Sequence, residues 1–351
     1  MSRCQISLLL VALVVAAPEA RADDAKPMVI KNSLLFACTQ HTPQYEGPKD
    51  LVHGSCSPRA RLRVSGPIEA GSAFFIDLMP PGSKKTWATL QFGSVSELIA
   101  AGTSWGSEHN DWAKLEDEKA SAQTGDYSFT VRMVNEASGT KAALYSGKFN
   151  VKKFKSSDPK LFCYYVDRDW ELPIAYLGLG GRISGDDNGT LYLTVRMTVR
   201  GTETDSSTWE GYLFNNGKPI GSKTSGIGSN DDMTVLSAEA SPFNWTQLGF
   251  RFYVGNSQKE EEDPLLLKKN PGDYEMKVLH NGKLARTLKF SVDKNGKLAD
   301  NGIAKKINVG DVEERILVPI KIIGGDEGKI DANAWKTGTF YGNPIPGFVV
   351  P

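Results

Sequence analysis

The chain has 351 residues, 40% hydrophobic and 23% charged, a composition that excludes a wholly disordered protein. Its 41 basic and 41 acidic residues balance, so it lacks the net positive charge typical of nucleic-acid-binding proteins and has no excess charge to attract it to anionic membranes. We therefore expect no nucleic-acid partner, and the length predicts two or three domains.

The N-terminus has the pattern of a secretory signal peptide. Arg3 precedes an apolar run at 6–17, and Ala20-Arg21-Ala22 fits the small-x-small cleavage rule. The sequence therefore predicts removal of residues 1–22 and export to the periplasm or the extracellular space. The run is too short to span a bilayer comfortably, and no later stretch approaches that length, so we expect no membrane span.

A polar arm at 23–31 leads into a first predicted domain at 32–154. Its strands are predicted at 61–65, 72–79 and 86–92, followed by a hairpin at 127–151. Each strand is short, rich in β-branched or aromatic residues, and bounded by Gly, Pro or Ser. Two short helices are predicted between them, at 94–102 and 111–122.

A polar linker at 155–160 precedes a second predicted domain at 161–293. Strands are predicted at 190–201, 208–214 and 247–254, followed by a hairpin at 272–292 whose turn is Asn281-Gly282. Alternation along 190–201 places Leu193 and Val195 on a buried face and Arg196 and Arg200 on the opposite face.

The two hairpins repeat each other. Both begin Gly-Asp-Tyr, at 125 and at 272, and both end Phe-x-Val. The two predicted domains also begin with similar segments, LLFACT at 34–39 and KLFCYY at 160–165, which place Cys38 and Cys163 at matching points to within one residue. The two hairpins begin 147 residues apart, from 272 − 125. A repeat distance this long predicts a duplicated domain, because solenoid repeats have far shorter periods.

The Gly-Asp-Tyr hairpin resembles the last two strands of immunoglobulin-like domains, where a tyrosine at the start of the penultimate strand often hydrogen-bonds back to the preceding corner. Tyr127 and Tyr274 occupy that place. The resemblance covers only this part of each domain and lacks the Cys-Trp-Cys spacing of antibody domains. It implies an all-β fold with two tandem immunoglobulin-like β-sandwiches.

Residues 294–351 form a C-terminal extension with apolar segments. One is ILVPIKII at 316–323, where Pro319 predicts an edge strand or a strap rather than a central strand. Four aromatic residues follow and are candidate binding groups for a groove on this chain or on a partner: Trp335, Phe340, Tyr341 and Phe348.

Two cysteines and two histidines form a mirror-symmetric set, Cys38-x2-His41 and His53-x2-Cys56. A Cys2His2 set can hold structural zinc. The alternative is a disulfide between Cys38 and Cys56. Export favours the disulfide, because oxidised cysteines cannot act as thiolate ligands. This interpretation leaves Cys163 as a buried thiol and assigns no metal.

Ser104 lies in Gly-Thr-Ser-Trp-Gly, which matches the nucleophile-elbow pattern but not its strand–turn–helix context. Because no phosphate-binding loop or zinc-protease motif occurs either, no catalytic residue and no cofactor is assigned. The sequence predicts an exported, non-catalytic binding, scaffolding or assembly protein with a protein or glycan partner. The alternatives are a carbohydrate-binding β-sandwich protein and a secreted hydrolase that uses Ser104.

Overall fold

The computed structural model describes residues 26–41, 55–106, 114–115, 119–155, 162–180, 190–201, 206–221, 223–229, 235–236, 243–256, 265–310, 316–326 and 328–351. The signal peptide predicted at 1–22 lies outside these residues. In the described ranges no helix is long and apolar enough to cross a membrane. The fold is all-β, as predicted.

The described residues form 22 strands and two short α-helices. The N-terminal strands are β1 Met28–Val29, β2 Leu35–His41, β3 Ser55–Arg61, β4 Arg63–Ser65, β5 Ala73–Met79, β6 Ala88–Ser94, β7 Ser104–Gly106, β8 Lys114–Leu115, β9 Gly125–Asn135, β10 Thr140–Lys155 and β11 Phe162–Asp167. The C-terminal strands are β12 Ile174–Gly180, β13 Thr190–Arg200, β14 Trp209–Asn215, β15 Lys218–Pro219, β16 Thr224–Ser225, β17 Ile227–Ser229, β18 Val235–Leu236, β19 Trp245–Asn256, β20 Gly272–His280, β21 Lys283–Val292 and β22 Ile316–Ile322. The helices are α1 Ile303–Lys306 and α2 Ala334–Gly338, and 3-10 turns lie at Lys31–Ser33, Asp169–Glu171, Ser206–Thr208 and Leu267–Lys269.

A six-stranded sheet with the order β11-β10-β9-β5-β6-β8 organises the N-terminal half. Strand β9 alternates strictly, so Tyr127, Phe129 and Val131 point into the core while Ser128 and Thr130 point outward. The inward side chains share one apolar core with residues of two three-stranded sheets, β1-β4-β7 and β18-β2-β3.

A ten-stranded sheet organises the C-terminal half, in the order β15-β14-β20-β21-β22-β12-β13-β19-β17, with β16 paired to β14. Its two ends fold over one apolar core. A Cβ at Gly211 of β14 would lie 2.9 Å from Cδ1 of Phe250 in β19 and 2.8 Å from Cε of Met276 in β20. A larger residue would have to displace the Phe250 ring, so glycine favours this close approach between the two ends.

Strand β22 is an interior strand, so the predicted edge position is wrong. Residues 316–319 pair with β12, and residues 320–322 pair with β21 on the other side. Pro319 stands where the strand changes partner, and Ile320 N–H donates to Pro173 O at 2.8 Å. Each half of β22 forms backbone hydrogen bonds with a neighbouring strand on one side. Proline lacks a backbone N–H, and this costs little at the residue where β22 changes from one partner strand to the other.

The predicted helix at 94–102 is also wrong. Val95 N–H donates to Ser72 O at 2.8 Å, and Ile68 and Ile99 exchange backbone bonds of 2.9 and 3.0 Å, so the segment is extended against its neighbours. Within the predicted helix at 111–122, the described residues Lys114–Leu115 are a strand paired with β6. Pairing across the sheet therefore overrides the local helical pattern.

The polar arm predicted at 23–31 is partly built into the fold. Met28–Val29 pairs with β4, and Val29 and Ile30 are buried. The C-terminal extension is likewise part of the folded body. Ala334, Phe340 and Phe348 lie in the N-terminal core although they come last in the chain.

Candidate functional site

The two hairpin tyrosines have similar surroundings. The Tyr127 hydroxyl donates to Gln123 O at 3.1 Å, and the Tyr274 hydroxyl donates to Asn270 O at 2.7 Å. Each thus reaches a carbonyl four residues earlier. Each ring also stacks on a phenylalanine of the following strand, Phe149 or Phe290, at 5.5 and 5.2 Å. These contacts give both tyrosines a structural role.

Tyr274→Phe is expected to make the free energy of unfolding depend less on pH above about pH 10. Burial raises the pKa of Tyr274 to about 12, above its ordinary value of 10.0. As pH rises from about 10 to about 12, the unfolded chain loses this proton while the folded chain keeps it, so stability falls. Urea unfolding at pH 7, 10 and 11.5 should show a shallower decline for Tyr274→Phe than for wild type. An identical pH slope in both proteins would contradict this account.

Cys38 and Cys56 form the predicted disulfide, with Cα atoms 5.2 Å apart. The zinc alternative fails because both sulfurs are bonded to each other. The side chain of His41, and all of His53, lie outside the described residues. Among the described residues no group of three or more His, Cys, Asp or Glu side chains could hold a metal. Cys163 is a buried cysteine outside the disulfide.

Cys56→Ser is expected to lower the free energy of unfolding by about 3 kcal/mol, the loop-entropy value for a separation of 18 residues. Urea unfolding of the variant and of wild type, each with and without reductant, measures the difference. Reductant should destabilise wild type alone. Alkylation of denatured chain 23–351 should label one cysteine before reduction and three after it.

Ser104 does not lie on a nucleophile elbow. It is the first residue of β7, which pairs with β4, and its Oγ accepts a hydrogen bond from Arg63 Nη2 at 2.8 Å. His109, the nearest histidine in sequence, lies outside the described residues. The hydroxyl is therefore a partner of a strand arginine, and nothing in its described surroundings supports a role as nucleophile.

The four predicted binding aromatics are anchors within this chain. Residues 334–348 form what we term the C-terminal clasp, in which Phe340, Tyr341 and Phe348 are buried. Phe36 N–H donates to the Tyr341 hydroxyl at 3.1 Å, and Trp335 meets Phe348 edge to face at 5.7 Å. Because their rings are covered, Phe340, Tyr341 and Phe348 offer no stacking surface to a ligand.

The clasp caps an open edge of β10. Strand β11 pairs with residues 150–155 of β10, and no other strand of the described residues pairs with the preceding part of β10 on that side. There Lys148 N–H donates to Tyr341 O at 2.5 Å, and Asn343 Nδ2 donates to Ser146 O at 3.1 Å. Phe340 and Tyr341 adopt φ angles of 44° and 55°, a conformation unfavourable for aromatic residues. The clasp thus covers an edge that would otherwise pair with another strand.

A cavity of about 710 Å³ lies between this part of the sheet and the clasp. We term it the polar groove. Its volume is within the range of small-molecule sites. Its polar lining includes Asp126, Lys148, Lys152, Asp167, Asp331 and Thr337. These residues are up to about 200 positions apart, so no local sequence motif announces the groove.

Several groups in the polar groove are already oriented by each other. Lys152 pairs with Asp167, and Asn150 donates to Asp126 at 2.6 Å. Lys148 and Asp331 are exposed and supply one positive and one negative charge. The lining therefore holds three carboxylates and two amines, so it offers both acceptors and donors with a slight excess of negative charge.

Trp170 forms the buried wall of the polar groove. Its side chain is 3% exposed and packs edge to face against Phe340 and Tyr341 at 5.5 and 5.3 Å. A Cβ at Gly338, another lining residue, would lie 3.4 Å from Trp170 Cδ1, the ring atom bonded to Nε1. The indole N–H has no acceptor among the described residues. An unpartnered buried donor costs about 1–3 kcal/mol, so an acceptor at this edge would be stabilising.

Buried ion pairs hold Trp170 in place. On either side of it, Asp169 accepts from Arg200 Nη1 at 2.7 Å, and Glu171 accepts from Arg168 Nη2 at 2.6 Å. Arg200 is thus buried, not on a solvated face of β13 as the alternation predicted. Burial raises the pKa of Asp169, and the charge of Asp167 adds to this, whereas Arg200 opposes it. A second cavity of about 520 Å³ is lined by Asp169 and Arg200 and shares Lys152, Asp167 and Asp331 with the groove.

No protein-family model matches the chain, and no curated protein matches it. Among solved structures, one described as "Biofilm associated protein - B domain" has 9% identity and a TM-score of 0.17, over 78% of this chain and 89% of that chain. Another, "Biofilm associated protein - BSP domain", has 9% identity and a TM-score of 0.18, over 80% and 64%. Similarity at this level carries no argument about fold or function.

Proposed function

We propose that this chain is an exported, non-catalytic binding protein of the cell envelope or extracellular space, with the polar groove as its ligand site. The observation that carries the proposal is the groove itself, a cavity of ligand size lined by convergent polar side chains. The Lys152–Asp167 pair and the bond from Asn150 to Asp126 link these side chains to one another within the groove.

The exported location is supported by the signal-peptide pattern at 1–22 and by the disulfide. Disulfides persist in oxidising compartments and are rare in the cytosol. In the same proposal, the hairpins β9–β10 and β20–β21 descend from one immunoglobulin-like sandwich. The matching bonds and stacking of Tyr127 and Tyr274 support that origin.

Thr337→Trp tests the groove, because Thr337 is an exposed lining residue on α2 and a large side chain there fills the space. The matched control is Lys336→Trp, an exposed neighbour on the same helix that does not line the groove. Chain 23–351 and both variants are to be screened against immobilised neutral oligosaccharides, anionic polysaccharides and a decapeptide library.

Binding of at least one of these classes should be lost in Thr337→Trp and kept in Lys336→Trp. The absence of any groove-dependent binding would contradict the proposed site. Turnover of a bound glycan, measured as new reducing ends, would contradict the non-catalytic role. Recovery of the chain in the cytoplasm, with the N-terminus uncleaved, would contradict export.

A further inference from the structure

We infer that the ligand of the polar groove is a neutral oligosaccharide, an inference that rests on the proposed binding function. Sugar hydroxyls both donate and accept hydrogen bonds, so they match a lining that contains both donors and acceptors. Asp126 offers acceptor oxygens, Lys148 offers donors, and the hydroxyls of Ser128 and Thr337 offer both.

Charge argues against an anionic ligand. Lys152 and Asp167 neutralise each other, so the remaining charges of the lining are the carboxylates of Asp126 and Asp331 and the amine of Lys148. A phosphate or uronate would meet more negative than positive charge in the groove. A neutral polyhydroxyl ligand meets no such repulsion.

Backbone geometry argues against a peptide that adds a strand. Such peptides bind through the open N–H and C=O groups of a sheet edge. Here Tyr341 O already accepts from Lys148 N–H, and the Asn343 side chain already donates to Ser146 O. The clasp therefore occupies the groups that a peptide strand would need.

The buried edge of Trp170 gives an independent indication that a ligand supplies an acceptor. The indole N–H has no acceptor in the described part of the chain, although the side chain is 97% buried and lines the groove. Because the nitrogen is closed to solvent, a hydroxyl or ring oxygen of a sugar residue would satisfy this donor only after the indole edge moves toward the groove. Trp170 then acts by hydrogen bonding through its edge, while Phe340 and Tyr341 pack against its ring.

The test is titration calorimetry of chain 23–351 with defined hexasaccharides: chito-, cello-, malto- and isomaltohexaose as neutral probes, and hexagalacturonate as the anionic probe. A decapeptide library serves as the peptide probe. We expect at least one neutral hexasaccharide to bind wild type and Lys336→Trp, and Thr337→Trp to weaken that binding more than tenfold. Trp170→Phe keeps an aromatic ring but removes the N–H, and should weaken binding about tenfold, the value of one hydrogen bond.

Thermal unfolding of each variant shows whether it is folded. If Trp170→Phe does not fold, the comparison of Thr337→Trp with Lys336→Trp still decides the test. Groove-dependent binding of hexagalacturonate or of a peptide, with no neutral sugar bound, would overturn this inference and leave the proposed function standing. Binding of no probe class through the groove would overturn both. Equal neutral-sugar affinity in Thr337→Trp and Lys336→Trp would place the sugar elsewhere and also overturn the inference.

Discussion

Asp326→Ala is expected to lower the free energy of unfolding by about 3–5 kcal/mol, the cost of removing one partner of a buried ion pair. The side chains of Asp326 and Arg286 are both 0% exposed. Asp326 accepts a hydrogen bond from the Arg286 guanidinium. It also accepts one from the backbone N–H of Arg200, at 2.8 Å. Burial alone lowers the pKa of Arg286, and Asp326 opposes that effect. Without the carboxylate, a guanidinium would remain buried without its counter-charge.

The matched control is Glu275→Ala, in the strand that pairs with Arg286's own strand. Glu275 lies 3.6 Å from Lys277, and both side chains are about a third exposed. Solvent screens such a pair, so its loss should cost no more than about 1 kcal/mol. Urea unfolding followed by circular dichroism gives both values. Similar costs for the two variants would show that the Arg286–Asp326 pair adds nothing beyond a surface pair.

The strands of the two hairpins could be predicted because the information is local. Alternation fixes which side chains of β9 and β20 point inward, and that places Tyr127 and Tyr274 in the core. The disulfide could also be predicted, since compartment chemistry selects between the two uses of Cys38 and Cys56.

The position of strand β22 in the sheet could not be predicted from its sequence. The rule that confines proline to edge strands assumes that a strand keeps the same neighbours along its whole length. The rule correctly states that Pro319 lacks a donor. It does not anticipate a strand that pairs with β12 before Pro319 and with β21 after it. That exchange is a property of the whole sheet.

The polar groove could be predicted only in part. The aromatic residues of the clasp indicated that the C-terminal extension docks, but not on which surface. Trp170 and the charges that flank it were not predicted, and alternation placed their partner Arg200 on the wrong face of β13. Asp169 and Glu171 lie in a short segment between two buried strands, where charged residues need partners. Arg200 is one of those partners, and it is 31 residues away.

Deleting the clasp by ending the chain after Asn333 is expected to destabilise the N-terminal half of the protein strongly. The deletion exposes the surface beneath four side chains that are 1–4% exposed: Phe340, Tyr341, Ile345 and Phe348. Each such side chain contributes about 1.5–3 kcal/mol through burial, offset in part by the chain entropy that the deletion releases. We expect a net loss of about 4 kcal/mol or more, a large share of a typical total stability. Thermal unfolding and binding of an apolar dye measure the loss.

A pair of adjacent point variants separates the loss of packing from a general effect of altering this end of the chain. Phe348→Ala removes a ring that is 4% exposed, and large-to-small changes at such sites cost about 3–5 kcal/mol. Val349→Ala alters a side chain that is 73% exposed and should change stability by no more than about 0.5 kcal/mol. The clasp also covers the edge of β10 at Lys148 and Ser146, so the shortened chain should self-associate at micromolar concentration through that edge. A shortened chain that stays monomeric, binds no dye and melts at the wild-type temperature would show that the clasp does not stabilise the fold, and the polar groove would then lack a fixed wall.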